Sequence, residues 1–207
     1  MTLISSVLVH YGSAAAHDML PELDILLRKN YKNVVVMLFD GMGTSILKKH
    51  LPADAFLIRY LQTTISSVFP ATTTAASVTM ESGLSPIEHG WLGWRLYFDE
   101  VGANVDIFPN TLPETDGVPA ADYHVAWRYL PYKSVQEKIA RQGARRHTAF
   151  LRFRHGTAKA WKKYAIPWQA CAAETGKNIS ILTGISQITT YMVSGHSMSK
   201  SPRISVR

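Results

Sequence analysis

A continuous apolar run over residues 34–39, Val-Val-Val-Met-Leu-Phe, is the feature that most constrains the fold of this chain. A strand with one solvent face alternates apolar and polar residues. An uninterrupted run rich in β-branched residues is instead typical of a strand buried on both faces of a parallel sheet. The run ends at Asp40-Gly41, a turn sequence. The sequence therefore predicts a buried strand whose carboxyl end carries an aspartate.

Segments around this strand alternate between helix and strand patterns. Residues 21–30 begin with proline and carry leucines at helical spacing, so they predict a short helix before the strand. A second helix is predicted over residues 44–50 and a second strand over residues 63–69. Residues 72–82 predict a helix with a hydroxyl-rich first turn. This alternation favours an α/β fold with a doubly wound, mainly parallel sheet flanked by helices.

Two further elements are predicted beyond residue 90. Residues 95–98 and 104–108 flank Glu-Val-Gly-Ala, which indicates a hairpin. Ser134 and Glu137 have the spacing of a capping box, which predicts a helix that ends near Gly143.

Length and composition limit the class of protein to which this chain can belong. With 207 residues and 46% hydrophobic content, the chain can form one globular domain with a sizeable core. No apolar run approaches the roughly 20 residues that span a bilayer, and the N-terminus lacks the pattern of a secretory signal, so we expect a cytoplasmic protein without a membrane partner. The single Cys171 excludes an internal disulfide framework.

The net charge of +7 is concentrated in the tail of the chain. Residues 145–207 hold 11 Lys/Arg against one acid, Glu174, while the rest of the chain has a small acidic excess. A basic tail is typical of a solvated arm and less often contacts nucleic acid or anionic lipid. A third explanation is a shift of reading frame within the gene.

Polar residues follow both predicted strands at the edge of the sheet where ligands bind. Asp40 ends the first strand, and residues 72–74, three threonines, follow the second. A hydroxyl at a helix start lies among free N–H groups, which favour a bound phosphate and an alkoxide nucleophile. Taken alone, an aspartate that turns into Gly41 and threonines that cap a helix are the more ordinary interpretations.

Four motifs together resemble the type I phosphodiesterases and nucleotide pyrophosphatases of the alkaline-phosphatase superfamily. They are Val-Val-Met-Leu-Phe-Asp-Gly-Met-Gly at 35–43, Ser-Val-Phe-Pro-Ala-Thr-Thr-Thr-Ala-Ala at 67–76, Gly-Leu-Ser-Pro at 83–86 and Glu-His-Gly at 88–90. Their order and spacing agree with that family over roughly residues 30–145. The resemblance implies an alkaline-phosphatase-like fold and a small-molecule phosphate ester or nucleotide as substrate, rather than nucleic acid.

The resemblance also implies roles for two residues. Asp40 would bind one of two divalent metal ions, usually zinc in this family. The threonine of Phe-Pro-x-x-Thr is Thr73, which would bind metal, attack phosphorus and form a covalent intermediate that water later hydrolyses. Thr72 is the second choice of nucleophile.

One departure from the family leaves the substrate subgroup open. Nucleotide pyrophosphatases commonly place an asparagine shortly after the His-Gly pair, where its amide binds a phosphoryl oxygen, but this chain has Trp94 in that stretch. We interpret His89 as a structural residue rather than a metal ligand. Trp91 and Trp94 could stack on a base, but we expect them in the core.

The metal ligands that the family takes from its C-terminal half are not evident in this chain. His155 and His196 have no aspartate partners. If the third base of each codon is taken as the first base of the next, residues 182–193 can encode Tyr-Trp-Asp-Lys-Pro-Asp-His-x-x-His-Gly, a family-like metal motif. We therefore hypothesise a frameshift near residues 145–150, with residues 1–148 the first part of a catalytic domain and 149–207 a basic tail that is not native to the fold.

These observations predict a metal-dependent phosphoric-ester hydrolase that acts through a threonine, in a truncated form with little or no activity. Two alternatives stay open. One is a phosphomutase or phosphonate hydrolase of the same superfamily, which would share Asp40 and the nucleophile. The other is a non-enzymatic module that binds nucleic acid or anionic lipid through its basic tail.

Overall fold

The computed structural model describes residues 1–31, 33–143, 145–149, 178–184 and 192–193. Cys171, His155, His196 and most of the tail lie outside the described residues. The helices of the described part are α1 Thr2–His10, α2 Pro21–Leu27, α3 Thr44–His50, α4 Phe56–Arg59, α5 Thr73–Ser82, α6 Pro86–His89, α7 Val125–Tyr129 and α8 Val135–Ala140. The strands are β1 Asn33–Phe39, β2 Arg95–Phe98, β3 Ala103–Asp106, β4 Arg145–Ala149, β5 Asn178–Gly184 and β6 Met192–Val193.

Strand β1 lies inside a four-stranded sheet of order β4-β5-β1-β6. It pairs in parallel with β5, in a register that runs from Asn33 beside Asn178 to Phe39 beside Gly184. Strand β4 continues the parallel pairing with β5, and β6 pairs with β1 in the antiparallel direction. Val34 and Val36 are each 1% exposed, which confirms the predicted buried strand. The doubly wound arrangement stays a prediction.

The main core lies between β1 and several helices. The sequence patterns predicted only some of these helices. Helix α1, which was not predicted, buries Ile4, Val7 and Leu8 completely. It packs against α2 and α8. Gly83 ends α5 with a φ of +74°, and a Cβ at this position would approach side-chain atoms of Leu8 and Ile4 at 3.1 and 3.2 Å. Glycine is therefore needed here, because both the left-handed conformation and the close packing disfavour a side chain.

The strand predicted over residues 63–69 is not formed. Residues 61–68 adopt neither helix nor strand. No strand in the described ranges lies alongside them to share backbone hydrogen bonds, which a strand requires. Side chains hold the segment instead: the Thr63 hydroxyl donates to Glu22 at 3.2 Å, and Thr44 donates to Thr64 at 3.4 Å. The side chains of this segment alternate between exposed and partly buried. The cause is the packing of a loop and not the formation of a strand.

A second core surrounds the predicted hairpin. Strands β2 and β3 pair in antiparallel register, with Leu96 opposite Val105, which confirms the hairpin with a shorter second arm than predicted. Its buried residues are Val78, Trp91, Phe98, Val105, Ile107, Val125 and Ala126. Val78 lies on α5, so this core supports one side of that helix.

Short helices are held at their ends by polar caps. The predicted box of Ser134 and Glu137 begins α8, and Ser85 and Glu88 form another at α6. Each box satisfies N–H groups that lack a partner inside the helix. Among the described residues, no helix combines the length and apolarity needed to cross a bilayer.

Candidate active site

Asp40 and Thr73 meet at the carboxyl end of β1. Asp40 directly follows the last residue of β1, and Thr73 is the first residue of α5. The Thr73 hydroxyl donates to Asp40 Oδ2 at 2.9 Å, and both residues are half-buried. Two residues that are 33 positions apart in the sequence are thus brought into direct contact. The contact places a hydroxyl and a carboxylate where α/β proteins bind ligands.

The three threonines at the start of α5 have different roles. Thr72 is the N-cap: its hydroxyl accepts from the Ala75 N–H at 3.1 Å and donates to the Leu92 carbonyl at 2.9 Å. Thr74 is 1% exposed, and its hydroxyl has no hydrogen-bond partner among the described residues. Thr73 is the threonine of the three whose hydroxyl contacts a carboxylate. Thr72 is engaged in capping, which makes it the weaker choice of nucleophile.

The start of α5 is also suited to an anion. The first N–H groups of a helix have no partner in the helix, and its dipole places positive charge at this end. The Ala75 and Ala76 N–H groups bond to Thr72, through its hydroxyl and its carbonyl respectively. In the described part of the chain, the Thr73 and Thr74 N–H groups have no such acceptor. They are therefore available to a phosphoryl oxygen.

The described residues fit one edge of a metal site. Tetrahedral ligands about 2.1 Å from an ion lie about 3.4 Å apart, so oxygens separated by 2.9 Å could bind one ion after a small movement. Carboxylate and hydroxyl oxygens suit a divalent cation. However, the described ranges contain no group of three or more His, Cys, Asp or Glu residues that could hold a metal. Among the described residues, this pair therefore offers at most two oxygen atoms to an ion.

A comparison with known families identifies the family of this chain. The sequence model of the family "Type I phosphodiesterase / nucleotide pyrophosphatase" matches residues 34–194, more than half of the chain. This range includes both Asp40 and Thr73. The chain belongs to this family. Searches of curated proteins and of solved structures found no match.

Membership of the phosphodiesterase family establishes several coarse properties. Its members have an alkaline-phosphatase-like α/β fold and hydrolyse phosphoric esters, acting on small phosphate esters or nucleotides, typically with divalent metal ions. The match extends to residue 194, whereas the resemblance carried by the four motifs covers residues only to about 145. The domain boundary near 148 stays a prediction.

His89 has a structural role in this member of the phosphodiesterase family. The ring is 2% exposed, and its Nδ1 accepts from the Trp91 N–H at 3.0 Å. Because Nδ1 accepts, the proton of the neutral ring lies on Nε2, which is 3.1 Å from the Thr79 hydroxyl. Both ring nitrogens are occupied by protein groups. The interpretation of His89 as structural is therefore consistent with its contacts.

Stability is expected to fall below about pH 6.5 because of His89. Burial lowers the pKa of His89 below its ordinary value, so the unfolded chain binds a proton that the folded chain does not. This contribution is complete above the unfolded pKa and is lost as pH falls, by at most about 1.4 kcal/mol per pH unit. Urea unfolding between pH 7.5 and 5 should show a smaller slope in His89→Gln than in the original chain. Equal slopes would contradict this expectation.

The two tryptophans after the Glu-His-Gly motif differ in burial. Trp91 is 1% exposed and donates from Nε1 to the Leu130 carbonyl at 2.9 Å, which confirms it as a core residue. Trp94 is 47% exposed, so its assignment to the core was wrong. Its backbone carbonyl accepts a hydrogen bond from the N–H of buried Ile107. This bond fixes the backbone at the start of the hairpin, while the ring stays outside the core. The ring of Phe108 lies beside it, with the two ring centroids 5.6 Å apart.

Asn110 does not replace the amide that this chain lacks near Trp94. Its Nδ2 donates to the Tyr123 carbonyl and its Oδ1 accepts from the Val125 N–H, each at 2.8 Å. Both ends of the amide therefore hold a loop together. The sequence patterns missed the Leu92 carbonyl, which anchors Thr72, because a backbone contact leaves no signal in residue type.

Proposed function

We propose that this chain is a metal-dependent phosphodiesterase or nucleotide pyrophosphatase that uses Thr73 as its nucleophile and Asp40 as a metal ligand. The observation that carries the proposal is the 2.9 Å contact between the Thr73 hydroxyl and Asp40. It joins a hydroxyl at a helix start to a carboxylate at a strand end in a chain of this hydrolase family. Two divalent ions, zinc by resemblance, complete the proposed site.

The chemistry assigned to these residues is an in-line displacement. Before reaction, the Thr73 hydroxyl donates to Asp40, which leaves the oxygen lone pairs free to face phosphorus. The hydroxyl then loses its proton to solvent, the Thr73 Oγ1–phosphorus bond forms as the bond to the leaving oxygen breaks, and the leaving oxygen takes a proton from water. A second water later cleaves the phospho-threonine bond and restores the Thr73 hydroxyl. The Thr73 and Thr74 N–H groups bind a phosphoryl oxygen as negative charge increases. Asp40 and Thr73 would hold a divalent ion, which would supply positive charge that lowers the pKa of the hydroxyl and stabilises the leaving oxygen.

We also propose that this chain carries only half of the site because of a frameshift. The parallel register aligns Gly184 with Phe39, the residue before Asp40. With permissible codon choices, the codons that follow Gly184 can encode the Asp-His motif in the alternative frame. The hypothesis rests on this motif, because the register of β5 belongs to the present reading frame. An early stop codon or the absence of the motif in the gene's alternative frame would disprove it.

The chain itself is expected to show little or no zinc-dependent turnover of bis(p-nitrophenyl) phosphate. Two ligand oxygens do not hold zinc firmly, and the described ranges provide no third His, Cys, Asp or Glu. Release of p-nitrophenol with and without zinc measures the activity, and Thr73→Ala serves as the matched control. Zinc-dependent hydrolysis that Thr73→Ala abolishes would refute the half-site proposal while supporting the nucleophile.

Trp94 keeps a second candidate open. A phosphomutase or phosphonate hydrolase of the same superfamily would also use Asp40 and Thr73, and an indole cannot provide the amide of nucleotide pyrophosphatases. Activity of the frame-corrected protein on phosphonate monoesters, compared with phosphodiesters, would distinguish these candidates.

A further inference from the structure

The first turn of α5 is held by a segment that follows it in the chain. The Thr72 hydroxyl accepts from the Ala75 N–H at 3.1 Å and also donates to the Leu92 carbonyl at 2.9 Å. Capping requires only the first of these bonds. The second fixes the direction of the hydroxyl hydrogen, so that a lone pair of the oxygen faces the Ala75 N–H. Residues 89–92, which we call the clasp, therefore control the helix cap through the Leu92 carbonyl.

His89 attaches the clasp to α5 at its other end. Its Nε2 lies 3.1 Å from the Thr79 hydroxyl on α5, and its Nδ1 accepts from the Trp91 N–H at 3.0 Å. Thr72 and Thr79 are about 10 Å apart along the helix axis, a distance that an extended stretch of three residues can cover. The clasp is therefore bonded to α5 at two places, at the cap and about two turns further along the helix.

Packing limits the freedom of the clasp. Gly90 has a φ of +74°, and a Cβ at this position would lie 2.8 Å from Cδ2 of Leu130. The next residue, Trp91, is buried, and its Nε1 donates to the Leu130 carbonyl. The turn and the indole are thus both fixed against one residue of a different segment. A backbone held in this way keeps the Leu92 carbonyl at one place beside Thr72.

We propose that His89 is a positioning residue, which acts through the clasp to orient the Thr73 nucleophile. Thr73 is the first residue of α5 and directly follows the cap. The direction in which its hydroxyl leaves the backbone therefore depends on the geometry of the cap. An intact clasp favours the rotamer whose hydroxyl donates to Asp40 at 2.9 Å. A loosened clasp lowers the population of that rotamer without abolishing the contact, because both of its groups remain.

The role of His89 rests on the proposed function, because the orientation of Thr73 matters for catalysis only if Thr73 is the nucleophile. The two ideas are tested separately. The rotamer of Thr73 is a property of this chain that is measured without turnover. Hydrolysis of bis(p-nitrophenyl) phosphate tests the nucleophile, so failure of one idea is distinguishable from failure of the other.

The test measures the χ1 rotamers of Thr73 in the full chain by NMR, from three-bond couplings between its backbone and its methyl carbon. His89→Gln has no acceptor at the position of Nδ1, so it should lower the preference for the main rotamer about fivefold, the effect of one hydrogen bond of average strength. In His89→Asn the side-chain oxygen can accept from the Trp91 N–H instead, and most of the preference should return. Ser134→Ala removes the cap of α8 and is the control for a general loss of stability, with no expected change at Thr73.

Three results would overturn the proposal. The first is an unchanged rotamer preference of Thr73 in His89→Gln. The second is an equal fall in His89→Asn, because the acceptor for the Trp91 N–H would then have no role. The third is an equal fall in Ser134→Ala, because the rotamer would then follow overall stability and not the clasp.

A second pair of variants applies if His89→Gln does not fold. Thr72 is only partly buried, and both Thr72→Ser and Thr72→Asp keep an oxygen that caps the helix. Serine has a hydrogen to donate to the Leu92 carbonyl, whereas an ionised aspartate has none. Thr72→Ser should keep the rotamer preference of Thr73, and Thr72→Asp should lower it about fivefold. Equal preferences in these two variants would reject the role of the clasp.

Discussion

Correction of the reading frame between residues 145 and 150 is expected to convert a chain with little turnover into an active phosphodiesterase, with a gain of at least about a thousandfold. With permissible codon choices, the alternative frame would add aspartate and histidine ligands after position 184. With those ligands, Asp40 and Thr73 would belong to a complete metal site. The positive charge of the bound ions would then be the largest single contribution to stabilising the transition state at phosphorus. The measurement is zinc-dependent hydrolysis of bis(p-nitrophenyl) phosphate by both proteins.

Two variants of the frame-corrected protein identify the nucleophile. Thr73→Ala should abolish turnover, because no oxygen would remain to attack phosphorus. Thr72→Ala should retain turnover but unfold at lower urea concentration, since loss of the N-cap costs about 1 kcal/mol. The opposite result would assign the nucleophile to Thr72. A corrected protein with no gain over the present chain would reject the frameshift hypothesis.

Trp91→Ala is expected to lower the free energy of unfolding by about 3–5 kcal/mol, the largest effect on stability that we anticipate from a single substitution. The side chain is 1% exposed and contacts four rings, those of Phe108, His124, Trp127 and Tyr132. Its removal leaves a cavity and also frees the Leu130 carbonyl. Urea unfolding followed by circular dichroism measures the change.

Trp94→Ala provides the comparison for Trp91. The two residues are three positions apart, but Trp94 is 47% exposed, so its removal should change stability by less than about 1 kcal/mol. Similar losses in both variants would mean that the indole of Trp91 is not a principal part of the second core.

Local signals predicted several elements because each depends on nearby residues. The apolar run over 34–39 became β1, and the Ser134 and Glu137 box begins α8. The helix predicted over residues 72–82 became α5, Thr73–Ser82, because its hydroxyl-rich first turn provides the N-cap. In contrast, the strand expected over residues 63–69 failed, since strand formation depends on a neighbour that residue types in the segment do not reveal.

By itself, the sequence determined the family and its two proposed reactive residues, because Asp40 and Thr73 belong to motifs whose order and spacing are characteristic. Only the tertiary structure showed that these residues touch, that Thr72 is engaged by Leu92, and that Trp94 lies outside the core. The physical reason is distance along the chain. Capping and strand propensity act over a few residues, whereas the contact between the first residue of α5 and the residue that follows β1 joins groups 33 positions apart.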